Sequence, residues 1–84
     1  MLRISRRSED GQRMTLELEG KLDQARVALL EAECEELIAA GAGVEIDLAC
    51  LRFADTAGVQ SLTRLRARGV RLVGATPLVE RLLS

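Results

Sequence analysis

The segment Asp55-Thr56-Ala57-Gly58 is the stretch of this 84-residue chain whose residue types point most directly to chemistry. The pattern around it predicts that it lies where a strand ends and a helix begins. Asp55 or Thr56 could cap such a helix, which contributes about 1 kcal/mol. The free N–H groups and the positive end of the helix dipole would also stabilise a phosphate there. Phosphorylation of Thr56 would add about −1.5 to −2 charges, a switch that needs no catalytic residue in this protein.

Other constellations that carry chemistry are missing from the sequence. It has no histidine, which excludes a histidine base and a histidine-ligated metal. Asp47 and Asp55 lie near predicted strand ends, but an acid–base pair needs a cleft and separated pKa values. Residues 41–43 (Gly-Ala-Gly) follow a helix and open a strand, which is the reverse of a phosphate-binding turn. We therefore expect no enzyme activity, no catalytic residue, no metal and no cofactor. Cys34 and Cys50 form no C-x-x-C pair and are expected to be small buried hydrophobes.

The composition narrows the classes of partner. With 12 basic and 13 acidic residues, the chain lacks the net basic charge of a general nucleic-acid binder. Its single aromatic residue, Phe53, cannot form a stacking platform for bases. No apolar run approaches the ~18 residues that suggest a membrane span, and residues 1–7 carry charges where a signal peptide needs an apolar stretch. We expect a cytoplasmic protein with no nucleic-acid partner and no direct membrane insertion.

The periodicity of apolar residues predicts four strands and three helices. In chain order these are strands at 2–7 and 14–19, a helix at 24–40, a strand from 44 that continues or loops onward to 54, a helix that starts within 55–58 and ends near 68, a strand at 70–73 and a helix at 77–83. Asp10-Gly11 predicts a hairpin turn between the first two strands. Asp23 is a plausible N-cap of the first helix, and Thr76 can cap the last.

Strands and helices alternate after the opening hairpin, which predicts right-handed crossovers and mostly parallel strands. The second and third strands are polar at alternate residues, so only one face of each is expected to be buried. We predict a single α/β domain over residues 1–84. It consists of a four-stranded mixed sheet with crossover helices mainly on one face, and it ends in a short helix.

Charge is unevenly distributed along the chain. Residues 24–51 carry six acidic residues and one basic residue, whereas residues 52–84 carry six basic and two acidic residues. The first helix is therefore acidic and the second basic. Two interpretations stay open: the helices are solvated faces that attract each other, or they form a polarised docking surface for a partner.

Two motifs resemble those of a known family, the STAS domains, which include the anti-sigma factor antagonists. Residues 20–23 (Gly-Lys-Leu-Asp) are similar to the G-x-L-D turn of that family. Asp47-Leu48 followed by residues 53–58 resembles its D-L…F-x-D-[ST]-x-G segment. The predicted element order matches over essentially the whole chain. The resemblance implies a bacterial signalling protein that regulates transcription by binding an anti-sigma factor, itself a serine/threonine kinase, and so freeing a sigma factor.

The resemblance also implies roles for particular residues. The kinase phosphorylates the hydroxyl residue after the aspartate, whereupon the antagonist lets go; in this chain the acceptor is Thr56. Asp55 would orient the loop, Gly58 would permit close approach, and Asp23 would belong to the docking surface. Ala57 stands where many members have a second serine. The partner-binding residues that we predict are Asp23, Asp55, Thr56, Ala57, Gly58, Arg64 and Arg68.

Two other functions remain as alternatives. Some members of the family are constitutive small subunits, which are not phosphorylated and which bind the ATPase of a lipid-transporting ABC system. That alternative predicts a lasting interface on the second helix around Arg64 and Arg68, which are spaced i, i+4. The other alternative, a small enzyme or nucleotide-binding domain, lacks a nucleophile–base pair, a metal cluster and a phosphate loop.

Overall fold

The seven predicted elements are all present in a computed structural model, which describes the backbone of residues 1–84 and every side chain except that of Glu9. The elements are β1 (Leu2–Asp10), β2 (Arg13–Leu22), α1 (Gln24–Ala39), β3 (Gly43–Ala54), α2 (Thr56–Ala67), β4 (Arg71–Val73) and α3 (Pro77–Leu83). The strand order is β1-β2-β3-β4. β1 runs antiparallel to β2, and the other neighbours are parallel, which confirms the predicted mixed sheet.

The core lies between the sheet and the helices, all three of which contact β3. Alternate residues of β2 and β3 face this layer and are fully buried, namely Leu16, Leu18, Ile46 and Leu48. The helices contribute Leu30, Cys34, Leu62, Leu65 and Val79 from the other side. Apolar burial of this kind is the main favourable term in folding. The remaining face of the sheet carries charged residues: Arg7 contacts Glu17, and Arg3 lies 3.7 Å from Glu19. The predicted two-layer arrangement is therefore confirmed.

A β-bulge interrupts the alternation of β3. Glu17 of β2 lies opposite Asp47, but Glu19, two residues on, lies opposite Cys50, so β3 holds one extra residue. The Asp47 Oδ1 atom accepts a 2.9 Å hydrogen bond from the N–H of Ala49 and so occupies the donor that the bulge frees.

The bulge changes which side chains of β3 face the core. A second register shift follows between Gly20 and Lys21 of β2, and the buried residues of this half of β3 are Leu48, Leu51 and Ala54, at intervals of three. The prediction that Cys50 is buried is therefore wrong, because the thiol is exposed where strict alternation would have buried it. Cys34 is buried as predicted, and this burial raises the pKa of its thiol to about 11.

The acidic face of α1 is paired within the molecule. The Glu31 Oε2 atom accepts hydrogen bonds from Ser61 Oγ at 2.7 Å and from Arg64 at 2.8 Å, both on α2. Glu33 and Glu36 accept from the Arg6 guanidinium of β1 at 2.8 and 2.9 Å, and these bonds raise the pKa of Arg6. The interpretation of two helices that attract each other is confirmed for the Glu31–Arg64 pair.

Replacing Glu31 with glutamine is expected to lower stability in a pH-dependent way. Hydrogen bonds from Ser61 and Arg64 lower the pKa of Glu31 below its ordinary value of 4.5. A depressed folded-state pKa contributes stability that is present above the ordinary value and is lost as the pH falls through the folded-state value. Wild type should exceed Glu31→Gln in urea midpoint at pH 7, and the difference should shrink by pH 3.

Glu35→Gln is the matched control for this titration. Glu35 is an exposed carboxylate on the same helix, and it forms no ion pair with a described side chain. Its variant should keep the wild-type midpoint at both pH values. If the difference in urea midpoint between wild type and Glu31→Gln stays the same from pH 7 to pH 3, the lowered pKa of Glu31 does not contribute to stability and the prediction is wrong.

Candidate functional site

One carboxylate, that of Asp55, joins the starts of two helices. Asp55 is the N-cap of α2, and its Oδ1 atom accepts a 2.8 Å hydrogen bond from the N–H of Gly58. Its Oδ2 atom accepts a 3.0 Å hydrogen bond from the N–H of Gln24, the first residue of α1. The negative charge therefore lies at the positive ends of both helix dipoles, which is a favourable position for an anion.

Gly58 lets α2 begin in direct contact with the end of β2. A Cβ atom on Gly58 would collide with the backbone oxygen of Leu22 and would lie 3.0 Å from Leu22 Cγ. The same Leu22 oxygen accepts a 3.1 Å hydrogen bond from the N–H of Asp55. The glycine is thus required by close approach of two backbones, which is a recurrent use of this residue.

Asp23 holds the N-cap position of α1, but its side chain does not cap. Its backbone oxygen accepts from the N–H groups of Arg26 and Val27 at 2.9 and 3.1 Å. The carboxylate makes no capping hydrogen bond, and its Oδ1 atom is buried without a partner among the described residues. A buried unsatisfied acceptor costs free energy, so this side chain does little for the stability of α1.

Thr56 is the first residue of α2, and its side chain is exposed. The Thr56 hydroxyl forms no hydrogen bond with a described residue. Thr56 borders a shallow depression of about 380 Å³, which is lined by Phe53, Ala54, Asp55, Thr56, Val59, Gln60 and Leu82. An enzyme that modifies hydroxyls therefore has open access to Thr56.

The predicted partner-binding residues divide into two groups. Asp23, Asp55, Thr56, Ala57 and Gly58 meet where α1 and α2 begin, and we call this group the Thr56 corner. The other two, Arg64 and Arg68, lie farther along α2, about 12 and 18 Å from Thr56 at the helical rise per residue. Arg64 is paired with Glu31, and Arg68 is the C-cap residue of the helix.

Sequence reasoning missed the apolar residues beside Thr56. Phe53 is 44% exposed, and Leu82 of α3 lines the same depression. A signal for Leu82 exists in the sequence, because α3 holds four aliphatic residues among its seven, more than one helix face can bury. Phe53 gives no such signal, since its exposure follows from the register shifts in β3.

The described residues contain no group of three or more histidine, cysteine, aspartate or glutamate residues placed to hold a metal ion. None of the three helices in the described chain has the length and apolar character needed to cross a membrane.

Comparison with known proteins identifies the family. The family model described as "Mlab, STAS domain" matches residues 5–84. The chain belongs to the STAS domain family. The resemblance inferred from residues 20–23 and 53–58 is thereby confirmed at the level of the family. No curated protein matches the chain in sequence.

Solved structures share the fold of this STAS domain. The anti-sigma factor antagonist SpoIIAA in its unphosphorylated form superposes with a TM-score of 0.72 at 23% identity, over 95% of this chain and 80% of that one. The phosphorylated form of SpoIIAA from Bacillus gives 0.71 at 22% identity, over 95% and 79%. The STAS domain of an antisigma-factor antagonist from Rhodobacter sphaeroides gives 0.58 at 28% identity, over 87% and 86%.

Proposed function

We propose that this STAS domain is a non-catalytic, cytoplasmic interaction module of the anti-sigma factor antagonist type. It binds a kinase-type anti-sigma factor, and phosphorylation of Thr56 releases it. The observation that carries the proposal is the exposed hydroxyl of Thr56, which forms no hydrogen bond with a described residue. Its neighbours have structural roles instead: Asp55 caps α2, and Gly58 allows α2 to contact the end of β2. The fold shared with SpoIIAA, whose structures include an unphosphorylated and a phosphorylated form, supports the same function.

The electrostatics of the Thr56 corner explain how a phosphate would act as a switch. Phosphate on Thr56 would lie near the first N–H groups of α2, which favour an anion. The N–H of Gly58 is already occupied by Asp55, however, and Asp55 and Asp23 both bring negative charge to the same corner. The phosphate would therefore add about −1.5 to −2 charges to a corner that already carries two carboxylates, without being buried by the fold. A partner that docks on the unmodified corner would then be repelled.

The carboxylate of Asp23 supports a docking role for this corner. It supplies no cap to α1 and leaves a buried oxygen unsatisfied, so stability does not account for an aspartate at this position. Local departures from stabilising chemistry are expected at functional sites.

Substitutions of Thr56 test the switch. We expect Thr56→Glu to weaken binding of the anti-sigma factor by at least about tenfold, since one added charge close to a docking surface costs on the order of 1.4 kcal/mol or more. Thr56→Val should bind like wild type but resist phosphorylation by the purified kinase. Thr56→Ser keeps the hydroxyl, so it should bind like wild type and should also be phosphorylated. Calorimetry of binding and mass spectrometry of the kinase reaction supply the two readouts.

Thr63→Glu is the matched control, because Thr63 is an exposed threonine on the same helix. Thr63 lies about two turns from Thr56, and its hydroxyl donates a 2.9 Å hydrogen bond to the Val59 oxygen. The control should bind with wild-type affinity. Equal binding by wild type and Thr56→Glu would refute the switch.

A second candidate function is a constitutive subunit bound to the ATPase of a lipid-transporting ABC system. The family model that matches residues 5–84, described as "Mlab, STAS domain", supports a STAS domain without specifying the antagonist type, which is compatible with this function. It predicts a transporter ATPase at fixed stoichiometry, with Thr56 unmodified and with α2 in the interface. Arg68→Glu tests that interface more cleanly than a change at Arg64, because Arg64 also holds Glu31.

A further inference from the structure

An exposed apolar strip adjoins the Thr56 corner. Phe53, Val59 and Leu82 line one depression together with Thr56. Leu78 is 51% exposed and precedes Leu82 by four residues, so the two leucines share a face of α3. We call Phe53, Val59, Leu78 and Leu82 the apolar strip. Contiguous exposed apolar surface of this kind marks interaction sites, unlike singly scattered apolar residues.

Of the four strip residues, Val59 packs against the core, whereas Phe53, Leu78 and Leu82 do not belong to it. Val79 is fully buried, and Leu83 packs against the core, so α3 is anchored by its other face. Phe53 is turned outward because the register shifts in β3 direct Leu51 and Ala54 to the core instead.

Basic residues flank the apolar strip. Lys21 is the register partner of Phe53, so the two residues lie side by side across β2 and β3. Arg81 follows Leu78 by three residues and neighbours it on the surface of α3. Both cations are exposed, and neither forms an ion pair with a described side chain.

Acidic side chains near the strip do not neutralise these cations. Asp23 and Asp55 bring negative charge to the adjoining Thr56 corner, but neither forms an ion pair with Lys21 or Arg81, and both carboxylate oxygens of Asp55 accept backbone hydrogen bonds. Glu80 lines a different groove, together with Leu72 and Leu83. The strip is therefore an apolar surface bordered by two exposed cations that are not ion-paired with a described side chain, and the complement of these cations is acidic.

We propose that the apolar strip docks a protein segment that inserts an apolar side chain between Phe53 and Leu82 and presents carboxylates to Lys21 and Arg81. The occupant is thus an acidic, apolar segment of the partner protein. The docking itself holds for either candidate partner. Its control by phosphate rests on the proposed function, because a phosphate on Thr56 at the edge of the strip would repel the same carboxylates.

Two matched leucines test the apolar part of the contact. The partner for these assays is the protein that co-purifies with the tagged wild-type chain at fixed stoichiometry. It would be identified by mass spectrometry and then purified for binding measurements. Leu78→Ser and Phe53→Ser should each weaken its binding about tenfold or more, as expected for apolar anchors of an interface. Leu29→Ser should leave affinity within about twofold, since Leu29 is 50% exposed on α1 and lies outside the strip. Wild-type affinity in both strip variants would overturn the proposal.

Charge reversal tests the acidic character of the partner segment. Lys21→Glu and Arg81→Glu should each weaken binding several-fold and flatten its dependence on salt. Arg13→Glu is the control, because Arg13 is an exposed cation at the opposite end of β2. Lys21 is also the single lysine of the chain, so protection of its side-chain amine from acetylation reports on this border alone. Full acetylation of Lys21 in the complex, or tighter binding after charge reversal, would overturn the proposal.

Other occupants of the strip give different results. Sedimentation with anionic phospholipid vesicles should leave wild type in solution, and light scattering should show no dimer that depends on Leu78. If wild type binds vesicles or dimerises and Leu78→Ser abolishes that behaviour, the strip binds lipid or a second copy of this chain, and the proposal of a partner segment is wrong. Thr56→Glu in the same assays separates the two proposals: if it binds normally while the strip variants fail, docking stands and the switch is wrong. A wild-type chain that retains no protein contradicts both.

Discussion

Gly58→Ala is expected to destabilise the protein by about 2 kcal/mol, which corresponds to a fall in Tm of roughly 10 °C for a domain of this size. The added Cβ would collide with the Leu22 backbone oxygen, and backbone cannot rotate away as a side chain would. The helix cannot easily shift either, because the Gly58 N–H is held at 2.8 Å by Asp55. Alanine is favoured over glycine inside a helix by about 1 kcal/mol. The variant is therefore destabilised only because the clash costs more than this gain.

Gly43→Ala is the control for this effect. A Cβ on Gly43 would meet only the Gln12 oxygen, at an ordinary contact distance of 3.8 Å. The change should leave the free energy of unfolding within about 0.5 kcal/mol of wild type, or slightly raise it. Urea unfolding of both variants makes the comparison. Equal stability of Gly58→Ala and Gly43→Ala would mean that α2 does not begin in contact with β2.

Asp55→Ala is expected to cost about 2–3 kcal/mol, because one residue loses both a helix cap and a charged hydrogen bond to a second helix. The bonds concerned are those from the N–H groups of Gly58 and Gln24. Asp55→Asn should fall between wild type and alanine. Its amide oxygen can still cap α2, but its NH₂ group would face the Gln24 N–H, donor against donor.

Asp23→Ala provides the contrast, since Asp23 holds the equivalent N-cap position of α1. Its carboxylate makes no cap, and its buried Oδ1 atom lacks a partner, so removal should leave stability unchanged or raise it. The denaturant midpoints of Asp23→Ala and Asp55→Ala, each compared with wild type, test this contrast. A loss at Asp23 as large as that at Asp55 would show that both carboxylates act as caps.

The order of the elements was predictable because each carries its own local signal. The clean alternation of β2, the helical spacing of α1 and the Pro77 start of α3 are all visible in short windows of sequence. The position of Thr56 at the start of α2 follows in the same way, whereas the place of Asp23 beside it was implied only by the family resemblance.

The surroundings of Thr56 were not predictable, because they depend on strand register. In the sequence, the alternation of β3 continues past Leu48 to Cys50, which would bury Cys50. Two register shifts against β2 instead expose Cys50 and turn Phe53 toward solvent. A bulge leaves little trace in local composition, since it depends on the fit between two strands that are distant in sequence. The apolar strip therefore emerges only from the structure.

The partner of each charged residue also depends on tertiary contacts. The acidic run of α1 and the basic run of α2 allowed either mutual attraction or a docking surface. The 2.8 Å contact between Glu31 and Arg64 shows that this pair joins α1 to α2 at the surface. Lys21 and Arg81 remain exposed beside the apolar strip, although nothing in their local sequence separates them from Arg64.

The phosphorylation state of Thr56 in the cell tests most directly whether phosphate on this residue controls partner binding. The tagged protein would be purified from its native cell, separated into partner-bound and free fractions, and each fraction examined by mass spectrometry for phosphate on Thr56. A phosphorylation switch predicts unmodified Thr56 in the bound fraction, with a kinase-type anti-sigma factor as the partner, and phosphorylated Thr56 in the free fraction. A partner retained at fixed stoichiometry, with no phosphate on Thr56 in either fraction or equal phosphate in both, would contradict it.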